Sequence, residues 1–297
     1  MKNKLSFTLA CIILAGVLFV AVSCTGISGA DRAGSAPVTR PPEPSKHPGV
    51  LICGVIEYEP MNYLVDGEWT GFDTEFARLV GEKLGLEVEF KIIDWERKFY
   101  ELNTGAIDAI WNGFTATAKE KSLPRSNFCD LSYSYMLNTQ CVVVKTERLE
   151  ELSSADDMAG TTLAAGSGST GEEYATGLVG ASGEVIGTAA QSDAFSEVLN
   201  GSVDGAVVDV ALARLMIGDG DGDGDADGDR PGLSIAFELD PLVYAVGFKK
   251  GNSLRNQVND AMKELFDDGV ILELAIKYGI ETNLVLDTSF GLDDCGC

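Results

Sequence analysis

From Val50 onward, the apolar positions alternate between the spacing of strands and the spacing of helices. Val50–Ile56 is a short apolar run, which is typical of a strand buried on both faces. Apolar residues then recur three and four positions apart, which predicts a helix that Gly85 ends: Phe72, Phe76, Leu79, Val80 and Leu84. The alternation continues with strands at Leu86–Ile93 and Ile107–Asn112 and a helix between them, marked by Trp95, Phe99 and Leu102. This order predicts a parallel sheet that binds ligands at the carboxyl ends of its strands.

A second unit repeats this order after residue 160. A strand at Thr161–Ala165 leads into a Gly/Ser turn and a helix from Gly171. Short strands follow at Val185–Gly187 and Val207–Val208, with a helix at Asp193–Leu199 between them. One more amphipathic helix is predicted from the spacing of Leu254, Val258, Met262 and Leu265. Two α/β units in one chain usually place the ligand at their interface.

Residues 1–23 have the features of a secretory signal peptide. Lys2 and Lys4 precede the apolar run Leu5–Val22, and small residues lead to Cys24. A cysteine in that place is similar to the lipidated first residue of bacterial lipoproteins, although Ala21 stands where leucine is usual. A retained membrane anchor is the alternative, because 18 mostly apolar residues approach a spanning length. Both interpretations place the rest of the chain outside the cytoplasm.

Composition excludes several kinds of function. The formal net charge of −24 repels nucleic acid and anionic lipid, so neither is expected as a partner. His47 is the only histidine, and it lies in residues 24–48, a stretch predicted to be a flexible tether. Catalysis by a histidine of the folded body is therefore excluded. The cysteines match no zinc motif, and we expect no metal or cofactor. Cys53 and Cys141 lie in apolar runs, which predict buried thiols.

An acidic run of alternating Gly and Asp occupies residues 218–229. Asp219, Asp221 and Asp223 have the spacing of the first ligands of an EF-hand loop, but position 12 of that loop is Arg230 instead of glutamate. A flexible, solvated insertion is favoured, and weak calcium binding is the alternative.

The chain carries one long motif and several shorter ones in a fixed order. The long motif, Gly71–Gly81, is GFDTEFARLVG, and the shorter ones are Glu57–Tyr63, Asp94–Trp95, Ile107–Thr115, Gly168–Thr170, Asp204–Asp209 and Tyr244–Gly251. Together they resemble the polar amino-acid family (family 3) of extracellular solute-binding proteins of ABC transporters. The resemblance covers roughly residues 49–280.

This resemblance implies a two-lobed, periplasmic-binding-protein-like α/β fold. Each lobe would be a mostly parallel sheet flanked by helices, and two hinge crossovers would join the lobes. Lobe 1 would comprise residues 49–143 and 243–297, the latter with the C-terminal tail. Lobe 2 would comprise residues 144–242, including the acidic insertion.

The resemblance also implies two aromatic walls for the ligand, Tyr58 and Trp95. Facing rings bury an aliphatic stem and hold a cationic tip by cation–π attraction. The alternative is that both rings are core residues. Trp111 is interpreted as structural, because it lies within the predicted third strand.

Two groups of donors for a ligand carboxylate are implied by the same motifs. One group follows the third strand and comprises Asn112, Gly113 and Thr115. For Asn112, helix capping is the alternative. The other lies between a strand and a helix N-terminus, where free N–H groups and the helix dipole favour an anion: Gly166, Ser169 and Thr170.

The family uses an arginine as a bidentate clamp on the carboxylate. Here the usual spacing from Thr115 reaches Glu120, which cannot hold an anion, so Ala118–Ser122 is interpreted as an insertion. Counting back from the following Asp-Leu-Ser segment favours Arg125 as the clamp, with two rivals, Lys119 and Lys121.

Asp209 ends an apolar run and is implied to pair with the ligand's α-ammonium group, with a helix N-cap as the alternative. The implied function is capture of an amino acid by a monomeric, lipid-anchored binding protein that serves a membrane permease of an ABC importer. Such a protein breaks no bond and is not an enzyme. The alternatives are a secreted cyclohexadienyl or prephenate dehydratase-like enzyme on the same fold and a sensory protein that presents its ligand.

Overall fold

The computed structural model describes residues 46–217 and 232–290. The predicted signal peptide, Cys24, most of the tether, the acidic run and the last seven residues of the chain lie outside the described residues. None of the helices in the described part has the length and apolar character needed to cross a membrane.

The elements alternate between strands and helices along most of the described chain. The strands are β1 Val50–Val55, β2 Tyr63–Val65, β3 Glu68–Thr70, β4 Glu87–Ile92, β5 Ala109–Ile110, β6 Lys119–Glu120, β7 Leu123–Pro124, β8 Asp130–Leu131, β9 Ser134–Asn138, β10 Gln140–Lys145, β11 Thr162–Gly166, β12 Glu184–Thr188, β13 Gly205–Asp209, β14 Leu233–Glu238, β15 Leu242–Tyr244, β16 Gly247–Phe248 and β17 Leu284–Asp287. The α-helices are α1 Phe72–Leu84, α2 Lys98–Thr104, α3 Thr170–Val179, α4 Asp193–Asn200, α5 Val210–Ile217, α6 Leu254–Asp267 and α7 Val270–Lys277.

Each lobe is built on a five-stranded sheet, and the two sheets share one plan. The strand order is β4-β1-β5-β16-β8 in the first sheet and β12-β11-β13-β10-β14 in the second. Three neighbouring strands of each sheet run parallel, and the other two pair antiparallel. The two-lobed α/β prediction is therefore confirmed, with a mixed sheet in each lobe.

The chain crosses between the sheets twice, at neighbouring places. β9 pairs with β15 outside the two large sheets, with Asn138 opposite Leu242. β10 lies in the second sheet over its whole length, opposite β13 and β14. The first crossover is therefore at Thr139, and the predicted boundary between residues 143 and 144 falls too late. The crossing back follows β14 and precedes β15, next to the predicted boundary after residue 242.

Glycines set the limits of α1, the helix of the long motif. Gly71 has a φ of 112°, and a Cβ there would lie 2.3 Å from the carbonyl oxygen of Met61. Gly85 ends the helix in the left-handed conformation, as its sequence position predicts. The N-terminal end of α1 therefore lies directly against the turn at Pro60 and Met61, whose carbonyl oxygens accept from the N–H groups of Phe72 and Asp73.

The third predicted strand is shorter than expected, because β5 contains two residues instead of six. After Ile110 the chain leaves the sheet, and the Trp111 ring lies edge-on to Phe76 with 5.4 Å between ring centroids. Trp111 is fully buried there, as a structural residue.

The last residues of the predicted tether contact the folded body. Lys46 Nζ donates to the carbonyl oxygen of Thr104 at 2.6 Å, and His47 Nδ1 lies 2.9 Å from Asp108 Oδ2. The prediction that His47 lies outside the folded body is therefore wrong. Cys53 and Cys141 are buried free thiols, as predicted.

Candidate functional site

A cavity lies between the two lobes, next to the crossing strands. Its lining includes all the predicted ligand residues: Tyr58, Trp95, Asn112, Gly113, Thr115, Arg125, Gly166, Ser169, Thr170 and Asp209. The first six come from the first lobe and the other four from the second. The parallel strands β1, β5, β11 and β13 all end at this cavity, as expected for ligand sites of parallel sheets.

Arg125 is a buried cation at the cavity, with 1% of its surface exposed. Its Nη1 donates to the carbonyl oxygen of Thr115 at 2.8 Å, and the guanidinium carbon lies 4.8 Å from the centre of the Phe114 ring. Burial lowers its pKa, but an arginine keeps its charge in a protein. No described group accepts from its buried Nε. An unpaired donor on a buried cation suits an anionic ligand group.

The two rival lysines lie elsewhere. Lys119 and Lys121 belong to the hairpin of β6 and β7, which the predicted insertion forms, and they line an outer groove with Glu120 and Glu173. The backbone N–H of Lys119 donates to Glu173 Oε2 at 3.0 Å. Of the three candidates for the clamp, Arg125 is the one that lines the cavity.

Asp209 is the buried anion of the same cavity, with 4% of its surface exposed. Its carboxylate accepts from the side-chain amides of Gln140 and Gln191, the latter at 2.5 Å. Burial raises its pKa, while these hydrogen bonds oppose the rise. Its partners are thus side chains around the cavity, in keeping with a site residue more than with a helix cap.

Two tyrosine hydroxyls meet beside the cavity. Tyr58 and Tyr244 are joined by a 2.9 Å hydrogen bond between their hydroxyl oxygens, in which either hydroxyl can be the donor. The Tyr58 ring, which lines the cavity, is therefore fixed by a hydrogen bond at its tip.

The loop after β5 lines the cavity, and its hydrogen bonds to other segments fix its position. Asn112 Oδ1 accepts from the N–H of Ile56 at 2.5 Å, so this side chain ties two strand ends together. Gly113 has a φ of 52°, and its N–H donates to buried Asp73 at 2.5 Å. A Cβ on Gly113 would lie 2.7 Å from the Tyr58 ring. The loop can pass this close to the aromatic wall only as glycine.

In the second lobe, the end of β11 turns directly into α3. Ser169 is the N-cap of this helix, and its hydroxyl accepts from the N–H of Glu172 at 3.2 Å. Thr170 and Gly171 begin the helix beside the cavity, where backbone N–H groups favour an anion. A Cβ on Gly171 would lie 2.6 Å from the carbonyl oxygen of Val207, so glycine lets the helix approach β13 closely.

Trp95 lies in the first lobe and opens a short 3₁₀ turn before α2. Its ring packs edge-on against Phe114, with centroids 6.2 Å apart. The ammonium group of Lys98 lies 5.3 Å from the centre of the Trp95 ring. The ring of Trp95, the predicted second wall, therefore already makes a cation–π contact with a side chain of the protein, Lys98.

Lys98 connects the two lobes. Its side chain is fully buried, pairs with Glu120 at 3.0 Å, and donates to the carbonyl oxygen of Gly168 at 3.3 Å. Burial and the neighbouring charge of Arg125 lower its pKa to about 8. With the contact from Lys119 to Glu173, this bond holds the hairpin of the first lobe against the turn and helix of the second.

Sequence reasoning missed three polar residues of this site: Gln140, Gln191 and Lys98. The amides of Gln140 and Gln191 both hold Asp209. Lys98 had a local signal, since it lies three positions after Trp95, on the same face of a helical turn. The glutamines had none, because they reach Asp209 only through the pairing of distant segments.

Comparisons with known proteins agree with this geometry. The model of the family described as bacterial extracellular solute-binding proteins, family 3, matches residues 51–281. The probable amino-acid-binding protein YxeM of Bacillus subtilis is 30% identical over 231 residues, which cover 74% of this chain and 79% of that protein. The L-cystine-binding protein TcyA of the same organism is 29% identical over 239 residues, covering 78% of this chain and 82% of that protein.

Solved structures show the same fold. An ancestral arginine-binding protein bound to arginine aligns with a TM-score of 0.68 and 28% sequence identity, covering 77% of this chain and 98% of that one. The chain therefore belongs to the bacterial extracellular solute-binding proteins of family 3.

Proposed function

We propose that this protein captures an amino acid between its lobes and delivers it to the membrane permease of an ABC importer. The observation that carries the proposal is the pair Arg125 and Asp209, one buried cation and one buried anion that line the same cavity. A zwitterion carries both opposite charges. YxeM, TcyA and the ancestral protein, which are similar to this chain, are named for binding amino acids.

The ligand carboxylate would meet Arg125 on one side and the N-terminal end of α3 on the other. Arg125 belongs to the first lobe and α3 to the second, so the ligand draws the lobes together. The α-ammonium group would lie toward Asp209. Tyr58 and Trp95 would enclose the remainder of the ligand.

The lobes must separate for a ligand to enter. The cavity volume is about 40 Å³, which is smaller than an amino acid, so the ligand must enter while the lobes stand farther apart. Two crossing strands with adjacent crossovers provide the hinge for this movement.

The experiment is isothermal titration calorimetry of the chain without its first 23 residues, against the twenty common L-amino acids and L-cystine. We expect saturable binding at one site for at least one of them. Asp209→Asn, which keeps the shape and removes the charge, should weaken that binding by at least tenfold. A flat response to every compound would contradict the proposal.

Lipid anchoring at Cys24 is the second part of the proposal, supported by the signal-like segment and the cysteine that follows it. The full chain expressed in a bacterial host should enter the detergent phase in Triton X-114 partition, and Cys24→Ser should move it to the aqueous phase. Equal partition of the two forms would contradict anchoring. Size-exclusion chromatography with light scattering should show a monomer.

A further inference from the structure

Gln140 is a buried amide that only half fulfils its hydrogen-bonding capacity. It is the first residue of β10, immediately after the crossover, and 1% of its surface is exposed. Its Nε2 donates to Asp209, but no described group donates to its buried Oε1. The residue lines the ligand cavity. An acceptor without a partner inside a polar site is suited to a donor on the ligand.

The orientation of this amide is fixed by its neighbour. An ionised carboxylate has acceptors only, so the nitrogen of Gln140 must face Asp209. Rotation of the amide by half a turn would place two acceptors against each other. Gln140 and Asp209 are directly opposed in the antiparallel pair of β10 and β13, so their side chains lie on the same face. Oε1 is therefore held away from Asp209, near Gly171 at the start of α3.

Both carboxylate oxygens of Asp209 already accept from protein side chains. Oδ1 accepts from Gln140 Nε2, and Oδ2 accepts from Gln191 Nε2. A carboxylate offers about four lone-pair positions, and these two amides occupy part of that capacity. An ammonium group beside Asp209 gains its negative charge, and with three N–H donors it needs a further acceptor.

We propose that Gln140 Oε1 accepts a hydrogen bond from the α-ammonium group of the ligand and thereby positions it beside Asp209. This inference rests on the proposed function and assigns two roles within it. Asp209 supplies the charge, and Gln140 supplies the directed acceptor. The protein then selects for a free α-amino group through a neutral amide at its hinge.

Gln191 provides a matched control. Its Nε2 also donates to Asp209, but its Oε1 already accepts from the N–H of Asp209 at 3.0 Å. Gln140→Met and Gln191→Met each remove one donor from Asp209, and only the first also removes an acceptor to which no described group donates. Gln140→Glu restores the acceptor without restoring the donor.

The test measures affinity by calorimetry for the amino acid of the panel above that binds most tightly, and for its desamino analogue. We expect Gln140→Met to weaken binding of the amino acid by at least tenfold and of the desamino analogue by less than twofold. Gln191→Met should have a smaller effect on the amino acid. Gln140→Glu should bind the amino acid at least fivefold more tightly than Gln140→Met, with an affinity that falls as the pH is lowered.

Thermal melting with and without the amino acid separates a loss of binding from a loss of stability in each variant. Gln140→Glu places two carboxylates side by side, so the amino acid should raise its Tm more than that of the wild type. Equal losses in Gln140→Met and Gln191→Met, with no recovery in Gln140→Glu, would mean that Gln140 only holds Asp209 and would overturn the inference. Absence of binding by the wild type to every amino acid would overturn the proposed function and this inference together.

Discussion

Tyr58 and Tyr244 meet hydroxyl to hydroxyl at 2.9 Å, although 186 positions separate them in the chain. Tyr58 follows the first strand, and Tyr244 ends the strand that brings the chain back from the second lobe. Their contact therefore joins the aromatic wall of the cavity to the hinge. Because this hydrogen bond fixes the tip of the Tyr58 ring, the position of that wall is sensitive to the hinge.

We expect Tyr58→Phe and Tyr244→Phe each to weaken amino-acid binding by up to about fivefold. Each change removes the same hydroxyl–hydroxyl hydrogen bond, worth about 1 kcal/mol, which fixes the Tyr58 ring at the cavity. Calorimetry measures both. Tyr278→Phe is the control, because its hydroxyl bonds to Glu75 on the first lobe, outside this cavity. An equal loss of affinity in Tyr278→Phe would contradict the role of the tyrosine pair.

Arg125→Ala should weaken binding by about 10- to 100-fold, since a hydrogen bond to a charged group contributes about 1.5–3 kcal/mol. Lys119→Ala should leave affinity within twofold, because Lys119 lies in the outer groove. Arg125 also packs on Phe114, so urea unfolding must show that the variant is folded. Loss of affinity in Lys119→Ala alone would assign the clamp to the insertion instead.

Lys98→Met should speed dissociation of the ligand by about tenfold, because it removes the side-chain bond between the first lobe and Gly168 and leaves Glu120 without its cation. Stopped-flow fluorescence of Trp95 at the cavity provides the rate. Lys91→Met is the matched control, since it breaks an exposed ion pair with Glu101 within one lobe. Identical rates in both variants would show that the contact does not hold the lobes closed.

Gly113→Ala should lower both stability and affinity. Its φ of 52° disfavours a side chain, and the new Cβ would lie 2.7 Å from the Tyr58 ring. Gly177→Ala tests the same chemistry in open space, within α3, where no atom lies within 4 Å of the new Cβ. That change should raise the free energy of unfolding by up to about 1 kcal/mol. Equal thermal melting of the two variants would contradict this.

Stability should depend on pH through Asp73, a fully buried carboxyl below the loop of Gly113. Burial raises its pKa from 3.8 to about 7, so the folded state holds a proton that the unfolded state releases near pH 4. Its contribution is complete below pH 3.8 and is lost as the pH rises through about 7.

The free energy of unfolding of the wild type, relative to Asp73→Asn, should therefore fall between pH 4 and pH 7, by up to about 1.4 kcal/mol per pH unit. Above pH 8 the difference should be constant. Urea titrations of both proteins at several pH values measure it. A difference that does not change with pH would place the pKa of Asp73 near its ordinary value.

Local patterns predicted most of the fold. α1 and its glycine stop follow from helical spacing, and the β-strands of both parallel halves follow from apolar runs. β5 is shorter than its apolar pattern predicts, because the pattern does not show that Trp111 packs on Phe76 instead of extending the strand. The position of His47 in the sequence predicts the tether, because its partner in the fold, Asp108, lies 61 positions away.

The sequence predicts the site residues that belong to its ordered motifs. It does not predict those that reach the site through the pairing of distant segments. The predicted residues all line one cavity, including Arg125, which a count from the wrong side of the insertion would have missed. Motif order does not predict the role of Gln140, because that role depends on the register of β10 against β13. It does not predict the role of Lys98 either, because a fully buried lysine contradicts the usual preference of lysine for the surface.

The two buried cations of the cleft sit within a strongly acidic chain, and this contrast has a kinetic consequence. Lys98 and Arg125 are close enough for one charge to lower the pKa of the other, whereas the whole chain carries a net charge of −24. At distances beyond the Debye length, about 10 Å at 0.1 M salt, salt screens both the field of the two cations and the field of the net charge. At low ionic strength a neutral zwitterion should associate at an unchanged rate, a cationic amino acid faster and a dicarboxylate more slowly. The ionic-strength dependence of the association rate thus distinguishes the effect of the ligand's net charge from the effect of its contacts in the cavity.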